Sequence, residues 1–201
     1  MREFWDERYA AEQYFFGTEP NRFLATQAHL LKPGQQVLAV ADGEGRNGVW
    51  LARQGVEVLS VDFSPVAQEK AKRLAAENGV SIRFEQADLM AWTWGENRFD
   101  VIVAIFIQFV GPEGRAHLFE RMRQALKPGG YLIMQGYTPK QVEYKTGGPP
   151  HAENMYTTEL LQDSFGDFAI LHLNEHEEVI AEGLGHSGHS ALIDLVARKV
   201  S

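Results

Sequence analysis

Residues 36–54 read QVLAVADGEGRNGVWLARQ, and this stretch decides which fold the rest of the sequence can adopt. It opens with a short apolar run over residues 36–40, which is typical of a buried strand. A glycine-rich turn follows, and a helical pattern then continues through Gln54 and stops at Gly55. The stretch therefore predicts a strand, a tight turn and a helix in direct succession.

Strand-like and helix-like patterns continue to alternate as far as residue 136. Further apolar runs occupy residues 56–61, 82–87, 99–107 and 131–135. Ser64 and Pro65 begin a helix that ends at Asn78-Gly79, and the sequence Lys127-Pro128-Gly129-Gly130 separates a later helix from the fifth strand. Such alternation predicts an α/β fold with a parallel sheet, and the nearly all-apolar run 99–107 is expected to be its middle strand.

The two ends of the chain have different patterns. Residues 2–31 are rich in aromatic side chains and predict one or two helices that cover an apolar surface. After residue 136 come a polar loop (137–151), a short helix near 157–164, and two strand-like runs (169–180 and 190–199) that predict a closing antiparallel hairpin. We expect one domain over residues 1–201, with a helical cap (1–31), a cofactor-binding core (36–136) and a substrate loop with a C-terminal hairpin (137–201).

Composition excludes several classes of protein. The chain has 201 residues, of which 44% are hydrophobic, and a formal net charge of 19 − 27 = −8, which argues against a nucleic-acid partner. The absence of cysteine excludes thiolate catalysis, Cys-ligated zinc, iron–sulfur clusters and disulfides. No run reaches the roughly 18 apolar residues that a membrane span needs. We therefore expect a soluble, cytoplasmic protein with no membrane partner; its oligomeric state is not predicted.

The glycine turn contains a nucleotide-binding pattern. Gly43-Glu44-Gly45-Arg46-Asn47-Gly48 is a G-x-G-x-x-G sequence, and Asp62 follows 19 positions after Gly43, at the end of the next strand. Glycines let the backbone approach a ligand closely, and a carboxylate one strand over can accept hydrogen bonds from ribose hydroxyls. The pattern predicts a nucleoside cofactor; the alternative is a tight turn followed by an acid that only caps the next helix.

Two cofactor classes fit this layout. A dinucleotide brings a pyrophosphate, whereas S-adenosylmethionine brings a methionine carboxylate and a positively charged sulfonium. Asp42 and Glu44 place negative charge inside the turn with only Arg46 to offset it, which favours the sulfonium cofactor. Asp88, which follows the third strand, is placed to accept from the adenine amino group or, in the alternative interpretation, to cap a local turn.

These residues resemble the class I S-adenosylmethionine-dependent methyltransferases. The matching segments, in chain order, are 37–47, Val61-Asp62, Ala87-Asp88, 99–102 and 126–130. Within that class, residues 4–9, 17–21 and 146–150 resemble the small bacterial branch near the tellurite-resistance and thiopurine methyltransferases. The resemblance implies a Rossmann-like three-layer sandwich with a seven-stranded, mostly parallel sheet whose last strand is antiparallel.

The resemblance also implies roles for individual residues. It assigns the methionine moiety to the backbone of the glycine turn, the ribose to Asp62, an adenine face to Phe63, the adenine amino edge to the segment after the third strand, and the place beneath the sulfur to Ile105. The predicted cofactor-binding residues are Ala41, Asp42, Gly43, Glu44, Gly45, Asp62, Phe63, Ala87, Asp88, Leu89 and Ile105.

The turn departs from the family pattern at two positions. Ala39 stands where the family usually has an acid, and Ala41 stands where it usually has a glycine. We therefore hypothesise that Asp42 or Glu44 takes over the contact with the methionine amino group.

Methyl transfer from a sulfonium needs alignment and exclusion of water more than acid–base groups, so we assign no catalytic residue. A lid formed by Phe4, Trp5 and Tyr9 would serve that exclusion. We predict no metal, although His172, His176, His186 and His189 could form a cluster in a less favoured interpretation.

The leading hypothesis is a methyltransferase that acts on a small molecule. The candidate substrate contacts are Tyr14, Arg46, Gln108 and His151, and the acceptor is expected to be small and neutral or soft, such as a thiol or a chalcogen compound. Two alternatives stay open. One is an NAD(P)-linked oxidoreductase, because it shares the glycine pattern, and the other is a non-catalytic module that binds S-adenosylmethionine.

Overall fold

The structure, a computed structural model that describes residues 2–200, is built on one seven-stranded sheet. The strands are β1 (Gln36–Val40), β2 (Glu57–Asp62), β3 (Arg83–Gln86), β4 (Phe99–Ile105), β5 (Leu126–Tyr137), β6 (Ala169–Glu182) and β7 (His186–Arg198). The α-helices are α1 (Arg2–Tyr9), α2 (Arg22–Thr26), α3 (Arg46–Arg53), α4 (Pro65–Glu77), α5 (Pro112–Ala125), α6 (Gln141–Tyr144) and α7 (Thr158–Phe165). Two short 3₁₀ turns lie at Ala28–Leu30 and Ala152–Asn154.

The strands lie in the order β3-β2-β1-β4-β5-β7-β6. Strands β1 to β5 pair in parallel, whereas β7 runs antiparallel to both β5 and β6. This confirms the predicted seven-stranded, mostly parallel sheet with an antiparallel last strand. Successive strands are added on one side of β1 as far as β3 and on its other side from β4 onward, so the order of strand addition reverses between β1 and β4. In open α/β sheets, ligands bind at such a point, in the crevice outside the carboxyl ends of the strands.

Side chains alternate between two cores, one on each face of the sheet. Leu38 and Val40 pack in one cluster with residues of α5 and α7, and Val37 and Ala39 pack in the other with residues of α2 and α3. The period of two along β1 places successive side chains on opposite faces, so both faces are covered.

Two strand boundaries differ from the predictions. β4 ends at Ile105 rather than residue 107, because Phe106 adopts a left-handed backbone (φ 53°) that cannot continue a strand. β5 begins at Leu126 rather than Tyr131: Leu126 already pairs with Phe99, and the register then shifts along the glycine-containing segment that follows it. The predicted gap between helix and strand was therefore wrong.

The predicted closing hairpin is confirmed and is longer than expected. β6 and β7 pair from Ala169↔Arg198 to Glu182↔His186. Within residues 2–200, β6 pairs only with β7, so the outer edge of this 14-residue strand is bare. Leu171 is among the exposed side chains of this strand. No helix in the described part of the chain is long and apolar enough to cross a membrane.

Candidate functional site

The glycine turn at the carboxyl end of β1 is held by a carboxylate inside it. Ala41 has a left-handed backbone (φ 48°), and Gly43 and Gly45 follow with φ of 57° and 87°. Asp42 Oδ1 accepts from the Gly48 amide (3.1 Å), and its Oδ2 accepts from Ser60 Oγ (2.9 Å). Asp42 therefore joins the turn to the first turn of α3 and to β2.

Asp62, at the end of β2, faces the same turn. Its carboxylate accepts from the amides of Gly43 and Ser64, both at 2.8 Å. Burial raises the pKa of Asp62 although these hydrogen bonds oppose it, and burial raises the pKa of Asp42 to about 7. Neither carboxylate has a cation within ion-pair distance in the described part of the chain.

Glu44 reaches from the glycine turn to the N-terminal segment. Its Oε2 accepts from the amides of Phe15 (2.8 Å) and Phe16 (3.3 Å), and it forms a buried ion pair with Lys70 of α4. The Lys70 ammonium also donates to the carbonyls of Ala11 (2.9 Å) and Gln13 (2.7 Å). One buried pair thus fixes residues 11–16 above the turn.

Helix α1 covers the open side of the turn. Tyr9 is buried, and a Cβ added to Gly43 would lie 3.1 Å from its hydroxyl oxygen. Asp6 accepts from Ser64 Oγ at 2.5 Å, and Trp5 stacks on Tyr9 with ring centroids 5.8 Å apart. Burial and the nearby Asp62 carboxylate raise the pKa of Tyr9. The aromatic residues named as a lid therefore include one that lies directly on the turn.

The predicted adenine-side residues are only partly brought together. Phe63 is half-buried beside Asp62, and the Ala87 amide donates to the Asp62 carbonyl at 3.0 Å. Asp88 is exposed and accepts from the Met90 amide (3.0 Å), as expected for a residue that caps a local turn. The Leu89 side chain is buried in a core cluster. Ile105 ends β4 and is nearly buried. The binding roles of these residues stay predictions.

The four candidate substrate contacts lie in different places. Arg46 forms a buried ion pair with Glu182 (2.7 Å), and Gln108 bridges the backbone N and O of Tyr137 at 2.7 and 2.8 Å. Tyr14 donates to the Lys70 carbonyl at 3.3 Å, and His151 is exposed on a loop. The structure brings Arg46 to the glycine turn, Tyr14 to the Lys70 side of that turn and Gln108 to the ends of β4 and β5, whereas His151 is exposed on a loop.

Arg46 belongs to a buried polar network that the sequence did not reveal. Asn21 donates to Gln135 (2.6 Å) and to Glu182 (3.0 Å), while its backbone amide donates to Asn47 Oδ1 (2.9 Å). Gln135 continues the network to Asp194 (2.7 Å), which also contacts His176 (2.8 Å). Glu182 and Asn21 are separated by 161 residues, so only the fold brings them together.

A second missed feature is an aromatic cluster at the carboxyl ends of β4 and β5. Phe106 follows β4, Tyr137 ends β5, and His186 begins β7, and their rings lie in mutual contact. The positions of Phe106 and Tyr137 after the central strands were the available signal. The sequence indicated His186 as a member of a less favoured metal-binding histidine cluster and, with the segment as far as His189, as a possible part of the substrate-recognition region. Within residues 2–200 no group of three or more His, Asp or Glu side chains could hold a metal ion.

Sequence comparison assigns the segment that carries the glycine turn. Residues 37–130 match the model of a methyltransferase domain. The chain is also similar to the ribosomal protein L11 methyltransferase of Thermus thermophilus, with 34% identity over 114 residues that cover 56% of this chain and 42% of that protein. The chain spans about half or less of the length of the curated relatives it matches.

Solved structures share the fold of the whole chain. One, described as "Conversion of a Disulfide Bond into a Thioacetal Group during Echinomycin Biosynthesis", has a TM-score of 0.80 at 19% identity and covers 100% of this chain and 92% of that one. TehB from Haemophilus influenzae has a TM-score of 0.72 at 18% identity, covering 98% of this chain and 66% of that one. The chain therefore has the Rossmann-like fold of these solved structures.

Proposed function

We propose that this protein binds S-adenosylmethionine at the carboxyl ends of β1 and β2 and transfers its methyl group to a small-molecule acceptor. One observation carries the proposal. Asp42 and Asp62 are both hydrogen-bonded into the glycine turn, and neither has a cation in the described part of the chain. Uncompensated carboxylates favour a cofactor with a positive charge.

The same electrostatics disfavour a dinucleotide. The two basic side chains beside the turn, Arg46 and Lys70, are already paired with Glu182 and Glu44. A pyrophosphate placed on this turn would meet carboxylates, and neither Arg46 nor Lys70 is free to offset its charge, which argues against the NAD(P)-linked alternative.

The residues present fit the proposed cofactor. When bound, it supplies a methyl group on a positively charged sulfur. The backbone of Ala41 to Gly45 would hold the methionine moiety, Asp62 the ribose and Phe63 one face of adenine, while Ile105 would lie beneath the sulfur. Asp42 and Glu44 already have protein partners, so a contact to the methionine amino group would be added to those hydrogen bonds.

The cap over the turn supplies the other requirement of the reaction, which is the exclusion of water. Trp5 and Tyr9 stack over the glycine turn, and the Glu44–Lys70 pair holds the segment that follows them. A cofactor enters this site only when Tyr9 moves from Gly43, and the returning helix would then close over it. We propose that α1 is a lid.

The acceptor is proposed to be small and soft, such as a thiol or a chalcogen compound, and the N-terminal aromatic residues and the loop 137–151 are proposed to select it. We predict that the protein is located in the cytoplasm.

Calorimetric titration of the full chain with S-adenosylhomocysteine tests the proposal, with NADH as the comparison. We expect S-adenosylhomocysteine to bind and NADH not to bind. Asp62→Ala should weaken binding by about 1–3 kcal/mol, because it removes an acceptor of charge-assisted hydrogen bonds. Asp62→Asn, which keeps one acceptor oxygen, should lose less. Binding of NADH alone would reverse the assignment.

An acceptor screen then separates an enzyme from a non-catalytic binding module. Protein that binds S-adenosylhomocysteine is incubated with methyl-labelled S-adenosylmethionine and a panel of thiols, selenols, amines and phenols. Transfer of label to a small molecule supports the proposal. Tight cofactor binding without label transfer to any acceptor favours the module.

A further inference from the structure

Four ring side chains from four separate segments meet where β4 and β5 end. The His186 imidazole lies between two phenyl rings, with its centroid 4.5 Å from that of Phe16 and 4.2 Å from that of Phe106. Phe106 stacks in turn on Tyr137 at 4.7 Å. Contact on both faces fixes the plane of the imidazole, because rotation about its side-chain bonds would collide with a ring.

The edge of the imidazole is fixed as well. His186 Nδ1 lies 2.6 Å from Tyr137 Oη, and both side chains are buried. Gly147 and Gly148 pack against Tyr137, and a Cβ on either would approach its hydroxyl or ring to 2.7 Å. The glycines of the loop 137–151 therefore let that loop hold Tyr137 in place.

The hydrogen positions follow from the partners. In the described part of the chain the Tyr137 hydroxyl has no acceptor other than His186 Nδ1, so it donates to that nitrogen. Burial, together with the nearby Arg46 and Arg8, lowers the pKa of His186 to about 3, so the ring is neutral at physiological pH. A neutral imidazole that accepts at Nδ1 carries its hydrogen at Nε2. His186 thus presents one fixed N–H donor.

The cluster lies beside the place proposed for the reacting sulfur. Phe106 directly follows Ile105, and its left-handed backbone turns its ring onto His186. Such strain persists mainly where surrounding structure or function requires it. Arg8, which has aromatic contacts but no carboxylate partner within residues 2–200, adds positive charge on the same side.

We propose that His186 binds the methyl acceptor through Nε2–H, that Tyr137 is its positioning residue, and that the acceptor reacts as an anion such as a thiolate. This inference rests on the proposed function. A neutral N–H donor near the Arg8 guanidinium stabilises an anionic nucleophile without surrendering its own proton. A neutral amine has a single lone pair, and the N–H donor would occupy the lone pair that the amine needs to attack the methyl group.

The chemistry balances without a base in the protein. The thiol loses its proton to solvent before it binds, and the thiolate supplies the electron pair of the new carbon–sulfur bond. The bond between the methyl carbon and the sulfonium breaks, and its electron pair stays on the cofactor sulfur. His186 keeps its hydrogen throughout, so its part is to orient the anion.

The test uses thiophenol as the acceptor and aniline as the neutral comparison, with the full chain and S-adenosylmethionine. Affinity for S-adenosylhomocysteine is measured first by calorimetry, because it reports on the proposed function alone. His186→Phe keeps the ring stack but removes the donor, and His186→Phe with Tyr137→Phe makes the stack wholly apolar. His189→Gln, on the same strand and exposed, is the matched control, and circular dichroism checks folding.

We expect the wild type to methylate thiophenol in preference to aniline. Both His186→Phe variants should bind S-adenosylhomocysteine within about twofold of the wild type and lose about 10- to 100-fold in kcat/KM for thiophenol, the loss expected for one hydrogen bond to a charged group. Tyr137→Phe should lower kcat with less change in KM. His186→Gln, which keeps a side-chain N–H, should recover part of the loss, and His189→Gln should match the wild type.

The pH profile gives a readout that a structural role would not move. Activity should rise as thiophenol ionises and then stay level to pH 9, because His186 does not titrate in that range. Wild-type activity in the double phenylalanine variant, a second ionisation near neutral pH that the Asp42→Asn variant retains, or a preference for aniline would overturn the proposal. So would S-adenosylhomocysteine binding with no methylation of thiophenol. Failure to bind S-adenosylhomocysteine would instead reject the proposed function on which this inference depends.

Discussion

Two residues that lack glycine's conformational freedom, Ala41 and Phe106, have left-handed backbones at the ends of β1 and β4. The order in which strands are added to the sheet reverses between these two strands. The other residues of this kind within 2–200, Asn97 and Lys145, lie before β4 and at the end of α6. Backbone strain is thus placed on both sides of the proposed crevice, where it aims the glycine turn and the Phe106 ring.

The raised pKa of Asp42 predicts a pH dependence of stability. A carboxyl whose folded pKa is about 7 and whose ordinary value is 3.8 binds more protons when folded, so the stability it contributes is present below about pH 4 and is lost as the pH rises to about 7. Asp42→Asn should reduce the dependence of the free energy of unfolding on pH, since each pKa unit is worth about 1.4 kcal/mol. We expect the variant to gain about 1–3 kcal/mol relative to the wild type between pH 4 and pH 8.

Urea unfolding of both proteins at several pH values between 4 and 8 measures this difference. Asp163→Asn, on α7 and remote from the turn, is the control. Its free energy of unfolding should change with pH as that of the wild type does. Parallel curves for Asp42→Asn and the wild type would show that Asp42 titrates with an ordinary pKa.

Single residues were predictable where the signal is local. Ser64 accepts from the Ala67 amide at the start of α4 and Asn78 ends that helix, as the sequence indicated. Asp88 also follows local rules, because its carboxylate caps its own turn. Glu182 and His186 were beyond such reasoning, since their partners lie far away in the sequence and no local pattern marks them.

At the scale of elements, the close approach of α3 and α4 depends on Gly45. A Cβ there would lie 2.7 Å from Ala71 Cβ, and the φ of 87° is unfavourable for any other residue. Gly45→Ala should lower the free energy of unfolding by about 2–5 kcal/mol, combining backbone strain with overpacking. Gly34→Ala isolates the strain, because its φ is 83° and nothing lies within 4 Å of its added Cβ. Gly34→Ala should lower the free energy of unfolding by about 1–2 kcal/mol.

Denaturant unfolding of these two variants separates the contributions. The difference between them estimates the cost of pushing α3 away from α4. Equal losses would mean that the helices yield freely and that Gly45 is needed only for its backbone.

The attachment of the N-terminal segment to α4 makes a second prediction at this scale. Lys70→Met leaves Glu44 charged and buried without its partner, which should cost about 3–5 kcal/mol. Lys72→Met removes the exposed Lys72–Glu69 pair of the same helix and should change stability by less than about 1 kcal/mol. Hydrogen exchange should quicken at residues 9–16 in the first variant only. Unchanged exchange there would show that the ion pair does not hold the lid.

Most elements were predictable because their periods are plain. β1, α3, α4, α7 and the final hairpin follow from apolar spacing and from Ser, Pro and Gly at their ends. The early start of β5 was not predictable. Leu126 already pairs with Phe99 of β4, but the segment that follows Leu126 has the composition of a turn. The short helix α6 has no periodic signal of its own and is fixed by contacts of Gln141 with Thr146 and Ala191.

At the scale of the whole molecule, Asn21 joins parts of the chain that no single element connects. It contacts the glycine-turn helix through Asn47, the sheet through Gln135 and the final hairpin through Glu182. Asn21→Leu keeps the approximate volume and the backbone bond to Asn47 but removes the side-chain amide that donates to Gln135 and Glu182, so the free energy of unfolding should fall by about 2–4 kcal/mol. Asn174→Leu, at an exposed position of β6, should stay within about 0.5 kcal/mol of the wild type.

Thermal and urea unfolding of the two asparagine variants checks this expectation. An Asn21→Leu protein as stable as the wild type would mean that the network is solvated in solution and does not bind the three regions together. The alternation of strand and helix patterns indicated an α/β fold with a parallel sheet, and the resemblance to class I methyltransferases implied its seven strands and antiparallel last strand. The network was not predictable, since its members come from residues 21 to 194.

The bare outer edge of β6 sets how this protein behaves at high concentration. The unpaired outer edge of this 14-residue strand can template a strand from a neighbouring molecule, and exposed leucine and valine side chains add to the attraction. Charged glutamate side chains interrupt that surface and keep neighbouring molecules apart. Removal of those charges by substitution would therefore favour fibrous aggregation along this border.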